Sequence, residues 1–149
     1  MLAVPLPDLA ATDALARRIA PHLKHGDAIA LHGPLGAGKT SFARALLRAL
    51  GIKEDVPSPT FTLLQTYETP AFPIHHFDLY RLKSEAELDE IGWDEALASG
   101  VALIEWPERA GRRMPRNLLS LRFAFDGKNG RTATLEPCGA WAKRAENLK

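Results

Sequence analysis

Lys39 and Thr40 close a glycine-rich run, Gly33-Pro34-Leu35-Gly36-Ala37-Gly38, with the spacing G-x-x-x-x-G-K-T. These residue types suit a polyanion. Glycine lets the backbone turn tightly and bring N–H groups against anionic oxygens without a Cβ in the way. Lysine adds a mobile positive charge, and threonine a hydroxyl that can ligate Mg²⁺. An apolar stretch, Ala28-Ile29-Ala30-Leu31, precedes the run and has the shape of a short buried strand. After it, Phe42, Ala45, Leu46, Ala49 and Leu50 recur at helical spacing up to Gly51, which fits a helix stop. Strand, loop and helix in this order make a phosphate-binding loop, with the helix N-terminus near Gly38 aimed at the anion. The expected nucleotide contacts are Gly33, Leu35, Gly36, Ala37, Gly38, Lys39, Thr40 and Ser41, with Lys39 at the β- and γ-phosphates.

Such a loop holds phosphate but lacks the acids that hydrolysis needs. One candidate is Glu105, which follows the apolar run Val101-Ala102-Leu103-Ile104 in the manner of a Walker B strand. There it could hold Mg²⁺ directly or through water, although aspartate is commoner at that position. The other is Asp78, in the strand-like segment Ile74 to Tyr80. Alternation puts Ile74, His76, Asp78 and Tyr80 on one face, and His75, Phe77 and Leu79 on the other. Burying a carboxylate there requires a partner, for which Mg²⁺, a metal-bound water and Arg81 are the options; a solvent-facing acid on an edge strand is the alternative. His75 and His76 fall on opposite faces and make poor joint metal ligands.

Val56-Pro57-Ser58-Pro59-Thr60-Phe61 is held extended by its prolines and presents Ser58 and Thr60 on a stiff loop. It reads either as a rigid connector or as a switch loop of Ser58, Pro59 and Thr60 that senses the γ-phosphate. The basic segment from Glu108 to Arg116 reads as a solvated loop, a lid over phosphates or a contact with a partner or RNA.

The elements that must position these residues follow from pattern. A helix from a Thr12 cap to about Lys24 carries Leu15, Ile19 and Leu23, with Pro21 kinking or shortening it. Thr60–Tyr67 and Ile74–Tyr80 form an antiparallel hairpin. Ser84 and Glu87 fit a capping box, and Gly92 divides two short helices, the second from about Asp94 to Ser99 and ended by Gly100. Leu118–Phe125 and Arg131–Glu136 flank a turn-rich hairpin, and the tail from Ala140 reads as a loose helix or frayed end.

A length of 149 residues allows one domain, residues 1–149, with room for a core. A net charge of +1 provides no field for autonomous binding of a nucleic acid. No apolar run spans a membrane and no signal-peptide pattern opens the chain. Cys138 is the only cysteine, so no internal disulfide forms and the expected location is cytoplasmic.

Taken together, GPLGAGKTSFARALLRALG, SPTFTL, HFDLYRL, ELDEIG and LIEWPE, in this order, make the chain resemble the TsaE (YjeE) family. The resemblance runs from LPLPD near the N-terminus through the C-terminal hairpin. It implies an α/β fold: a P-loop NTPase core with a mainly parallel sheet, extended by antiparallel hairpin strands. It implies an ATPase required for N6-threonylcarbamoyladenosine at adenosine 37 of tRNA, working with TsaB and TsaD and touching tRNA only indirectly. ATP and Mg²⁺ are then the expected cofactors. Lys39 serves the phosphates, Thr40 and Glu105 the metal, Asp78 turnover, and Ser58–Thr60 a nucleotide-sensitive switch. Hydrolysis is expected to reset or drive the complex rather than to supply the transferred group. Pro34 departs from the family's GDLGAGKT, removing an N–H and a charge from the loop edge, and Pro57 also precedes SPTF. Arg131 could reach the nucleotide. The competing readings are a small-molecule P-loop kinase, with the basic segment as its lid, and a nucleotide-gated binding module.

Overall fold

The computed structural model describes residues 2–53, 63–127 and 130–148. Ser58, Pro59 and Thr60 lie outside them. The strands are β1 (Leu2–Leu6), β2 (Ala28–His32), β3 (Leu64–Glu68), β4 (Pro73–Asp78), β5 (Val101–Glu105), β6 (Leu118–Phe125) and β7 (Arg131–Cys138). They form one seven-stranded sheet in the order β1-β7-β6-β2-β5-β4-β3. The centre, β6-β2-β5-β4, is parallel, and the β1–β7, β6–β7 and β4–β3 pairs at the edges are antiparallel. This is the expected α/β architecture.

The central strands are buried on both faces, as a parallel sheet requires. Ile29, Leu31, Val101 and Leu103 enter one apolar cluster, beside helix α2 (Lys39–Ala49) and helix α1 (Leu9–Ile19). The alternate residues Ala28, Ala102 and Ile104 enter a second cluster on the opposite face. That face is covered by helix α3 (Ala86–Glu90) and helix α4 (Trp93–Ser99), whose Leu88 and Trp93 are fully buried. By the same alternation His76, Asp78 and Glu105 point to the α2 side.

Several local expectations change. Helix α1 is capped by Asp8, whose Oδ1 accepts from Ala11 N at 2.9 Å, so Thr12 is not the cap. Thr12 instead lies buried on the helix, which gives way after Ile19 to a 3₁₀ turn carrying Pro21. Ala49 faces solvent rather than the core, and Ala43 and Leu47 complete the buried stripe of α2. Gly51 does follow the helix end with a positive φ, and Ile52 N closes back on Leu47 O. The Ser84–Glu87 capping box does not form: Glu87 Oε1 accepts from Lys83 N at 2.7 Å rather than from Ser84 N, and no side chain caps α3. Strand β1 has no counterpart among the expected elements, and its Pro5 is tolerated because the strand is an edge, paired only with β7.

The tail is not frayed. Helix α5 (Trp141–Arg144) buries Trp141 completely, and Leu148 in the following 3₁₀ turn is buried as well. Arg144 grips Asp27 with Nη1 at 2.5 Å from Oδ2 and Nη2 at 2.8 Å from Oδ1.

Candidate functional site

Strand β2 runs into the glycine loop, and the loop runs into α2. Gly33 is required by packing: a Cβ there would stand 2.5 Å from the carbonyl oxygen of Phe123 on β6. Gly38, the cap of α2, holds a φ of +111° that side-chain-bearing residues rarely adopt. The first backbone bond of the helix runs from Phe42 N to Gly38 O at 2.9 Å. The N–H groups of Lys39, Thr40 and Ser41 therefore precede the helical ladder and leave the N-terminal dipole open to an anion. Leu35 turns its side chain to solvent, Ala37 is buried, and Gly36 O accepts from Arg131 Nε at 2.9 Å.

The two acids arrive on neighbouring parallel strands, because Asp78 on β4 is in register with Glu105 on β5. Both are buried, so Asp78 is not a solvent-facing acid. Asp78 Oδ1 accepts from Tyr80 N at 3.0 Å, and Asp78 N donates to Leu63 O. Glu105 Oε1 accepts from Thr40 Oγ1 at 3.3 Å, so loop and strand meet through these groups. Lys39, Thr40, Asp78 and Glu105 all line one cavity of about 390 Å³ at the C-terminal ends of the strands. Nucleotides bind at this edge in open α/β sheets.

Lys39 is buried, and its Nζ donates to Gly33 O at 2.5 Å while lying 3.4 Å from the centroid of the Trp106 ring. Burial lowers the ammonium pKa below its usual value, against the pull of Glu105, Glu108 and Asp78. Trp106 is brought over the lysine by a left-handed backbone, with φ 58°. Among the described residues, Leu63 and Trp106 are the non-glycine residues with positive φ. One lends its carbonyl to Asp78 and the other follows Glu105, so the uncommon backbone is concentrated beside the acids. The Trp106 ring packs on Tyr80, with centroids 4.9 Å apart.

The residues fit a magnesium–nucleotide ligand. Thr40 and Glu105 offer hard oxygen donors side by side, and Mg²⁺ ordinarily takes a carboxylate or two and completes its shell from phosphate and water. Among the described residues, no three His, Cys, Asp or Glu side chains form a metal-holding group.

Pattern reading brought forward the loop, both acids and Arg131, and these do meet. It did not find Trp106, nor His76, whose Nε2 donates to Glu105 Oε2 at 2.7 Å. The parity of Ile74, His76 and Asp78 was the available signal for His76; nothing local announces that Trp106 folds back. Leu6, Asp8, Leu9 and Thr12 form the far wall of the cavity. The basic segment, Pro107–Arg113, folds as 3₁₀ turns broken by a kink at Gly111, and Arg113 is tied to Asp89 and Asp94 on α3 and α4. Those bonds raise the Arg113 pKa.

Comparison with known proteins gives the same result. The family model described as threonylcarbamoyl adenosine biosynthesis protein TsaE matches residues 6–133. The tRNA threonylcarbamoyladenosine biosynthesis protein TsaE of Rickettsia prowazekii is 47% identical over 125 residues, 83% of this chain and 87% of that protein. Its namesake in Bacillus subtilis is 36% identical over 129 residues, 86% of this chain and 80% of that one. The crystal structure of Bacillus subtilis YdiB matches with a TM-score of 0.84 at 30% identity, covering 99% of this chain and 93% of that one. The glycine loop, the paired acids and these matches leave one assignment: the chain belongs to the TsaE family of tRNA threonylcarbamoyladenosine biosynthesis.

Proposed function

We propose that the chain is a Mg²⁺-dependent ATPase that supports threonylcarbamoyladenosine formation on tRNA together with TsaB and TsaD. The observation that carries this reading is the meeting of Lys39, Thr40, Asp78 and Glu105 in one cavity at the end of β2, β4 and β5. The backbone from Gly36 to Ser41 cradles the phosphates. Lys39 leaves the Gly33 carbonyl and the Trp106 ring for the γ-phosphate, where its charge is better compensated. Thr40 and Glu105 would hold Mg²⁺, which supplies neutralisation of charge on the phosphate oxygens. Asp78 orients the attacking water. Arg131, already at the rim through Gly36, adds positive charge beside the nucleotide. A net charge of +1 supports contact with tRNA through partners rather than directly.

The test is Lys39→Ala. Its ATP turnover should fall by about 100-fold or more, the scale of removing a charged transition-state donor. The same variant should fail to sustain repeated rounds of tRNA modification with TsaB and TsaD. Unchanged hydrolysis would remove the assignment of the site. Phosphate transfer that appears only with an added small acceptor would replace it with a kinase.

A further inference from the structure

Glu105 is a long side chain asked to do the work of a short one. It has an extra rotatable bond compared with aspartate, so its carboxylate can miss the position beside Thr40. Its burial alone does not fix that position. A second contact does: His76 Nε2 stands 2.7 Å from Glu105 Oε2, with the two side chains only 1% and 3% exposed. The carboxylate is thereby held from both sides, Oε2 by the imidazole and Oε1 by Thr40 Oγ1. Since the carboxylate oxygen accepts, the ring carries its hydrogen on Nε2. The other ring nitrogen, Nδ1, is buried with no hydrogen-bond partner among the described residues.

We infer that His76 is a positioning residue: its imidazole fixes the Glu105 carboxylate so that Oε1 is presented at Thr40. The backbone makes this possible. His76 precedes Asp78 on the same face of β4, and β4 and β5 are in parallel register, so the ring reaches diagonally across to the end of β5. One strand thus carries both the acid proposed for the water and the group that orients the acid proposed for the metal. The inference rests on Glu105 as a metal-holding acid.

The test uses Mn²⁺ as the probe, with a non-hydrolysable ATP analogue. Mn²⁺ binding is followed by electron paramagnetic resonance, and analogue affinity is measured with Mn²⁺ and in EDTA. His76→Leu should weaken Mn²⁺ binding by about 10- to 100-fold, the range for losing a group that orients a metal ligand. Affinity for the analogue in EDTA should stay unchanged. His76→Gln, whose amide nitrogen reaches the place of Nε2, should recover most of the loss. His76→Asn, whose amide matches Nδ1, should not. If the leucine variant does not fold, the Gln and Asn pair decides alone, and equal Mn²⁺ binding by the two overturns the inference. A loss that is the same with Mn²⁺ and in EDTA also overturns it, because it would mark a structural role. Glu105→Gln separates the levels. If it keeps full Mn²⁺ binding, the reading of Glu105 fails and this inference with it. If it loses Mn²⁺ and His76→Leu does not, only the inference fails.

Discussion

Two buried carboxylates, Asp27 and Glu105, are held in opposite ways. Asp27 is saturated: Arg144 clamps both oxygens, and Lys24 N adds a bond to Oδ2 at 2.7 Å. The clamping guanidinium also donates to His22 O and packs 4.4 Å from the Trp141 ring centroid. The bonds to Asp27 raise the Arg144 pKa. Among the described residues no guanidinium holds Glu105. Among them its contacts are an imidazole whose Nδ1 has no partner there and a threonine hydroxyl at the long distance of 3.3 Å. A carboxylate that closes a fold is satisfied by the chain itself. The Glu105 carboxylate, with two hydrogen bonds among the described residues against three at Asp27, is held in place with capacity for a further partner. The backbone repeats the contrast, since the left-handed Leu63 and Trp106 both adjoin the site acids.

Breaking the two regions should therefore produce different losses. The largest effect is expected at Asp78. Asp78→Asn keeps the size and the bond from Tyr80 N but removes the charge. ATP turnover should fall by about 100- to 10,000-fold, the range for a positioned acid–base group, while nucleotide binding persists. Single-turnover kinetics beside an equilibrium binding measurement checks both. Loss of binding with an unaltered turnover rate at saturation would erase the distinction between the acids and the loop. Next comes Arg144→Ala, which leaves Asp27 buried and unpaired. Breaking a buried pair costs about 3 kcal/mol or more. Urea denaturation should show that loss, with turnover per folded molecule unchanged. A destabilised protein whose turnover also collapses would mean that the clamp is part of the site after all.

How far each region can be read without coordinates follows from the same contrast. The glycine loop is legible because its bonds are local: the motif spans a few residues, and strand and helix abut it. Asp78 and Glu105 are legible as acids that interrupt apolar strands, a placement too costly to be idle. Contacts between distant segments leave no such mark. Arg144 and Asp27 are 117 residues apart, and nothing near Ala140 distinguishes an anchoring arginine from a solvated one. Trp141 and Leu148 join the main apolar cluster only once the tail folds back onto the rest of the chain. His76 and Glu105 are 29 residues apart and meet only through the β4–β5 register. Strand β1 is hidden by its own Pro5, which argues against a strand until the edge position is known. Asp8 and Thr12 are both competent caps by type. The helix starts at Leu9, so Asp8 caps it and Thr12 lies one turn inside, buried and lining the cavity.

Asp8 is where frame and site overlap, and it sharpens the comparison with the smallest effect. It caps α1 through an exposed bond to Ala11 N, yet it also lines the cavity that holds Lys39. Asp8→Ala should cost about 1 kcal/mol, the usual value of an N-cap. In a protein of this size that lowers the melting temperature by about 3 °C. Asp8→Ser restores a capping oxygen without the charge, so it should recover the stability. The charge can then be judged separately. If Asp8 belongs only to the frame, the alanine and serine variants bind ATP as the parent does. If its carboxylate repels the incoming triphosphate, both variants bind more tightly, and the serine protein does so at parental stability. Isothermal titration at low and high salt separates these outcomes, because a repulsive contribution from an exposed carboxylate fades as salt screens it.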